Sequence, residues 1–99
     1  MRVVITTAAK ADLIAIGDFI KPNNPERAVT FVEELLNRCD ALADMPRRYP
    51  LVPRYEKFGI RRTMHQDYLI FYRIHEEVIE IIHVLQGARD YETLLFPDS

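Results

Sequence analysis

The stretch that decides the fold is Gly59 to Leu85, GIRRTMHQDYLIFYRIHEEVIEIIHVL. Two short polar pairs, Gln66-Asp67 and Glu76-Glu77, divide it into three runs: Gly59 to His65, Tyr68 to His75 and Val78 to Leu85. Each run is rich in β-branched and aromatic residues, which suit a pleated surface. Two-residue separators fit hairpins, although neither pair is the favoured Asn-Gly. Strand alternation puts Tyr68, Ile70, Tyr72 and Ile74 on one face of the middle run, and Leu69, Phe71, Arg73 and His75 on the other. The third run is apolar on both faces except for Glu80 and His83, which places it centrally in a sheet. Gly87 stops it.

Upstream, Arg2 to Thr6 is short and β-branched and reads as a further strand. Thr6 or Thr7 can cap the helix that follows, because a short hydroxyl side chain accepts a free N–H of the first turn. Leu13, Ile16 and Ile20 recur along that helix at steps of three and four, with Phe19 beside them. Gly17 weakens it by about 1 kcal/mol relative to alanine, and Pro22 ends it. Asn24 is then an N-cap and Pro25 a first helical residue. In the second helix Ala28, Phe31, Val32, Leu35, Cys39 and Leu42 form an amphipathic stripe. Glu34 and Arg38 make an i,i+4 pair on its flank. Pro46 closes this helix, a rod roughly 30 Å long. The short link folds the two helices into an antiparallel hairpin. Residues 46 to 58, with Pro46, Pro50 and Pro53, read as an ordered but irregular loop, and Arg89-Asp90-Tyr91-Glu92 starts a short tail helix or turn.

The expected architecture is therefore α+β, in the order β-α-α-β-β-β plus a tail. A helical hairpin covers one face of a mainly antiparallel four-stranded sheet. Ninety-nine residues make this a single domain over 1–99, and 48% apolar composition is enough for one modest core. The longest apolar run, Tyr68 to Tyr72, is far short of the roughly 20 residues needed to span a bilayer. Lys10 interrupts Val3 to Ala9, which argues against a secretory leader. A lone cysteine, Cys39, excludes an internal disulfide and suits the reducing cytoplasm.

The formal net charge of -2 argues against a general polyanion binder, but it hides a polarised distribution. Residues 1 to 45 carry five basic and seven acidic groups, and residues 65 to 99 carry two and seven. Between them, residues 46 to 64 carry six basic groups (Arg47, Arg48, Arg54, Lys57, Arg61, Arg62) against Glu56 alone. A basic segment inside an acidic chain marks where a partner docks.

Four pieces, in this order and spacing, resemble the ParE/RelE superfamily of type II toxin–antitoxin systems, on its ParE-like, plasmid-stabilisation branch. They are Asp12-Leu13-x-x-Ile16-x-x-Phe19-Ile20, Gly59-Ile60-Arg61-Arg62, Tyr68-Leu69-Ile70-Phe71-Tyr72-Arg73 and Ile81-Ile82-His83-Val84-Leu85-Gln86-Gly87-Ala88-Arg89-Asp90. The resemblance covers roughly residues 3 to 95. It implies a bacterial toxin silenced by a cognate, ParD-like antitoxin. The fold carries two activities: RelE-like members cleave mRNA on the ribosome, and ParE-like members inhibit DNA gyrase.

RNA cleavage without a metal needs a base for the 2′-OH, cations for the developing phosphorane charge and an acid for the leaving oxygen. Nucleases resembling RelE meet this with lysines and arginines spread over the sheet and a late tyrosine or histidine. An arginine often follows the tyrosine that opens the middle strand. Here Leu69 follows Tyr68, the sheet strands hold no lysine, and the last 35 residues sum to -5. The resemblance therefore points to a non-enzymatic gyrase inhibitor, with a ribosome-dependent mRNA endoribonuclease as the alternative.

Arg61, Arg62, Arg89 and Tyr91 are the candidate target-binding residues, and no residue is assigned to catalysis. Each has a plainer reading: Arg61 and Arg62 alternate across the sheet, so one faces solvent and the other a carboxylate, and Arg89 with Asp90 can simply tie down the tail. Arg73 can pair with Glu80 on the neighbouring strand. Leu13, Ile16, Ile20, Phe31 and Leu35 are the candidate antitoxin contacts, met by an amphipathic helix, with an extended segment along a sheet edge. His65, His75 and His83 lack the clustering of a metal site, and Cys39 reads as a small core residue. No cofactor is expected. There is no helix-turn-helix pattern, so sequence-specific DNA binding is not expected of this chain.

Overall fold

The computed structural model describes residues 1–96. The elements are β1 (Arg2–Ile5), α1 (Thr7–Ile20), α2 (Pro25–Ala41), β2 (Ile60–His65), β3 (Tyr68–His75), β4 (Val78–Gln86) and α3 (Tyr91–Leu95), with a 3₁₀ turn at Glu56–Phe58. Both helix starts follow their capping residues. The Thr6 hydroxyl accepts the Ala9 N–H at 3.2 Å, and Asn24 Oδ1 accepts the Arg27 N–H at 3.0 Å, with Pro25 in the first turn. α2 stops at Ala41 and not at Met45. Its last bonds shift to the tighter i→i−3 spacing at Leu42, Ala43 and Asp44, which spends the chain before Pro46 is reached.

The strand order is β1-β4-β3-β2. β2/β3 and β3/β4 are antiparallel, whereas β1 runs parallel to β4, with Arg2 opposite Val78 and Ile5 opposite Ile81. β1 has a physical reason to join β4. The outer edge of β2 is already occupied: Val52 N–H donates to Ile60 O at 2.9 Å and Arg62 N–H to Pro50 O at 3.2 Å. The apolar β4 is therefore central, as its composition indicated. Phe71 lies opposite His83 and Tyr72 opposite Ile81, so Ile82 is the extra residue of a β-bulge. The β3–β4 turn holds both Glu76 (φ 49°) and Glu77 (φ 63°) in the left-handed region. This is the type I′ geometry that Asn-Gly would adopt with less strain.

The hairpin of α1 and α2 covers one face of the sheet. Leu13, Ile16, Phe31, Leu35 and Cys39 meet Ile70, Tyr72, Ile79, Ile81 and Val84 in one continuous core. Each such side chain contributes about 1.5–3 kcal/mol of burial free energy. Cys39 is fully enclosed, and burial pushes its thiol up to about 12. Burial likewise raises Tyr72, whose hydroxyl donates to Pro46 O at 2.7 Å. Beyond the end of β1, α1 takes over the edge of β4. Asp12 Oδ2 accepts the Val84 N–H at 2.9 Å and lies 2.7 Å from His83 Nδ1, while the Thr6 hydroxyl donates to Ile81 O at 2.6 Å.

The Glu34–Arg38 pair does not form. Glu34 instead bonds Arg27 and His65, and its carboxyl is held below the usual value, first by Arg27 and then by His65. Arg38 turns toward β2, where Nη2 donates to Met64 O at 2.7 Å and Thr63 Oγ1 at 3.1 Å. The sheet edge offers acceptors that bind arginine better than an exposed helix pair does.

Candidate functional site

Arg61 and Arg62 point to opposite faces of β2. Arg61 lies on the helix-covered face, across from Tyr72, and Nη1 donates to Tyr49 O at 2.6 Å and Arg47 O at 3.3 Å. It pins the 46–50 loop to the sheet and is no open docking group. Neither arginine meets a carboxylate. Arg62 lies on the opposite face, across from Phe71, and donates to the Tyr91 hydroxyl at 2.5 Å. Its guanidinium sits 5.9 Å from the Tyr91 ring centroid, and that ring lies 4.9 Å from Phe71.

Arg62 and Tyr91, 29 positions apart, thus form one unit. They border a cleft of about 880 Å³ with Tyr49, Leu69, Gln86 and Gly87. Arg89 is exposed and lines a different depression, with Phe19, Tyr68 and Gln86. The four target-binding candidates therefore occupy three places. Arg73 is paired as expected, with Nε 2.7 Å from Glu80 Oε1.

The candidate antitoxin contacts lie mostly inside the fold. Leu13, Ile16, Phe31 and Leu35 are at most 6% exposed, and Ile20 is half-buried against the same core. The stripe that looked available for a partner is consumed by the sheet. The outer side of the hairpin instead presents a groove of about 810 Å³, lined by Ile14, Gly17, Val29, Val32 and Leu36, where only Leu13 reaches from the original set. Ile14 is 65% and Val29 60% exposed. Gly17 forms the floor, since a Cβ there would stand 3.6 Å from Val32 Cγ2. The sequence held a signal for this face. Val29 and Leu36, with Val32 shared with the core stripe, are a second apolar series at helical spacing along one flank of it.

Among the described residues no three His, Cys, Asp or Glu side chains gather as a metal-ligand set. His65 is bound to Glu34, His83 to Asp12, and His75 lies 4.0 Å from Glu76. Also among the described residues, no helix is long and apolar enough to cross a membrane.

Two solved structures are similar in fold. The first is described as a chromosomal ParDE system from P. aeruginosa (TM-score 0.74, 22% identity, covering 87% of this chain and 95% of that one). The second is the RelBE2 toxin–antitoxin complex from Mycobacterium tuberculosis (TM-score 0.65, 22% identity, covering 86% and 95%). Comparison with curated protein sequences finds no match. The family described as ParE toxin of type II toxin-antitoxin system, parDE, matches residues 3–91, nearly the whole chain. The chain accordingly belongs to the ParE toxin family of type II toxin–antitoxin systems.

Proposed function

We propose that this toxin is held silent in the cytoplasm by a cognate ParD-like antitoxin and acts by binding DNA gyrase, without cutting RNA. The observation that carries the gyrase reading is the state of the sheet's arginines. Arg61, Arg62 and Arg73 are the only lysines or arginines on β2, β3 and β4. Each is engaged inside the molecule: with loop carbonyls, with a phenol and with a carboxylate. Metal-free RNA cleavage needs cations free to meet charge developing on phosphorus. With these three guanidiniums committed within the chain, β2, β3 and β4 are suited to capturing a protein.

The test is a supercoiling and cleavage assay on purified gyrase, run beside primer extension on transcripts from induced cells. Altered gyrase products with intact transcripts are expected. Discrete transcript cuts with gyrase unaffected would refute the reading and favour the RelE-like nuclease, for which the Arg62–Tyr91 unit is the supporting feature.

For the antitoxin, the groove supports an amphipathic helix seated on Ile14, Val29, Val32 and Leu36. Lys10 and Lys21 on the α1 side, with Asp18, and Glu33 on the α2 side set its flanking charges. β1, at the end of the sheet order, offers an edge for an extended segment. Val29→Glu should leave toxicity intact and abolish rescue by the antitoxin. Unchanged rescue would place the contact elsewhere.

A further inference from the structure

The face of the sheet opposite the helical hairpin has its own apolar cluster. Val52, Ile60, Leu69, Phe71, Leu85 and Phe96 are buried there, and no residue of α1 or α2 belongs to it. Its cover is made of chain, residues 52–58 and 91–96, and Tyr91, Glu92 and Phe96 hold the second piece through contacts of distinct chemistry. The Tyr91 ring lies on Phe71, with its hydroxyl taking a guanidinium N–H of Arg62. Glu92 accepts the Tyr55 hydroxyl at 2.9 Å and lies 3.5 Å from Arg54 Nη2. The Phe96 ring stacks on Tyr55 at 4.0 Å and 2°, with Phe58 at 5.0 Å.

The sheet side of these contacts is positively charged, with Arg54, Lys57 and Arg62 against Glu56. The carboxylate and the aromatic it accepts are one helical turn apart. α3 itself buries none of its five residues. The link from β4 to α3, residues Gly87 to Asp90, is exposed throughout. The cover can therefore leave without removing any residue of the main core.

We propose that this face is a peptide-recognition surface closed in cis by residues 91–96. It takes from a partner protein a one-turn helical segment that carries a carboxylate and, four residues on, an aromatic ring. The chain's own Glu92 and Phe96 display the chemistry that fits. The assignment rests on the reading that the toxin acts by binding a protein, and it names the kind of segment bound. A ligand competing with a tethered copy of itself binds weakly until the tether opens, because apparent affinity scales with the open fraction.

The experiment uses the full chain and a capped synthetic peptide of the sequence DYETLLF, titrated by calorimetry. Phe96→Ala opens the cover. Where circular dichroism shows that variant unfolded, Glu92→Gln replaces it. The peptide should bind the opened variant at least about tenfold tighter than wild type. Glutamine for its acid, or alanine for its phenylalanine, should each cost about tenfold. Trypsin should cut after Arg89 faster in the opened variant, with the remainder still folded.

Absence of binding to a folded, opened variant at about 1 mM peptide would overturn the proposal. A wild-type dimer formed by exchange of tails would assign the face to a second copy and overturn it too. Peptide binding with gyrase unaffected would leave this inference standing and sink only the choice of target.

Discussion

Leu35 and Leu36 are chemically identical neighbours on α2, and the structure gives them opposite jobs. Leu35 is 0% exposed in the main core, while Leu36 is 36% exposed and lines the outer groove. Truncating a fully buried leucine to alanine loses transfer free energy and leaves a cavity, about 3–4 kcal/mol where neighbours are rigid helix and sheet. Leu36 leaves no enclosed void, so Leu36→Ala should cost about 1 kcal/mol or less. The difference, about 2–3 kcal/mol, corresponds to roughly 8–24 °C in Tm for a domain of this size. Urea titration followed by circular dichroism gives both values, with equal slopes confirming that the unfolded states match. Leu36→Glu should then escape the antitoxin while keeping toxicity. Two alanine variants within about 1 kcal/mol of each other would refute the division of the helical hairpin into a core side and a partner side.

Other outcomes follow from single contacts. Glu77→Gly should raise stability by about 0.5–1 kcal/mol, because the left-handed backbone there no longer strains a side chain; thermal melting would show an unchanged or lower Tm if the turn were relaxed. Glu34 has a folded-state carboxyl below its ordinary 4.5, from Arg27 and then His65. Its contribution is present above that ordinary value and is lost as pH falls through the folded one. The stability gap between wild type and Glu34→Gln should therefore shrink as the solution is acidified from neutrality, and a gap independent of pH would count against the network. Cys39, with its thiol pushed up to about 12 by burial, should react with a thiol reagent at pH 8 only as fast as the protein opens; rapid stoichiometric labelling of the native chain would contradict its enclosure.

The elements were legible because their signals are local. Thr6, Asn24 and Pro25 announce helix starts through groups that must satisfy their own first turns. The alternation in Tyr68 to His75 announces a strand with Ile70 and Tyr72 inward. What Arg61, Arg62 and Tyr91 do was not legible, since the partners of the two strand arginines come from the 46–50 loop and the tail, up to 29 positions away. The burial of Leu13, Ile16, Phe31 and Leu35 was not legible for a related reason. A helix of this hairpin has two apolar sides, and periodicity reports both without saying which one the sheet claims.

By itself, then, the order of residues determined the elements, the helical hairpin, the central place of the third run and the family likeness. Each depends on side-chain periods of two or about 3.6 and on caps within a turn. Only tertiary structure decided that β1 joins β4 in parallel, that Arg61 holds a loop while Arg62 meets Tyr91, and that the hairpin's outer stripe is the exposed one. Those outcomes depend on which free edge, carbonyl or apolar face another segment reaches first, and that competition is between groups distant in sequence.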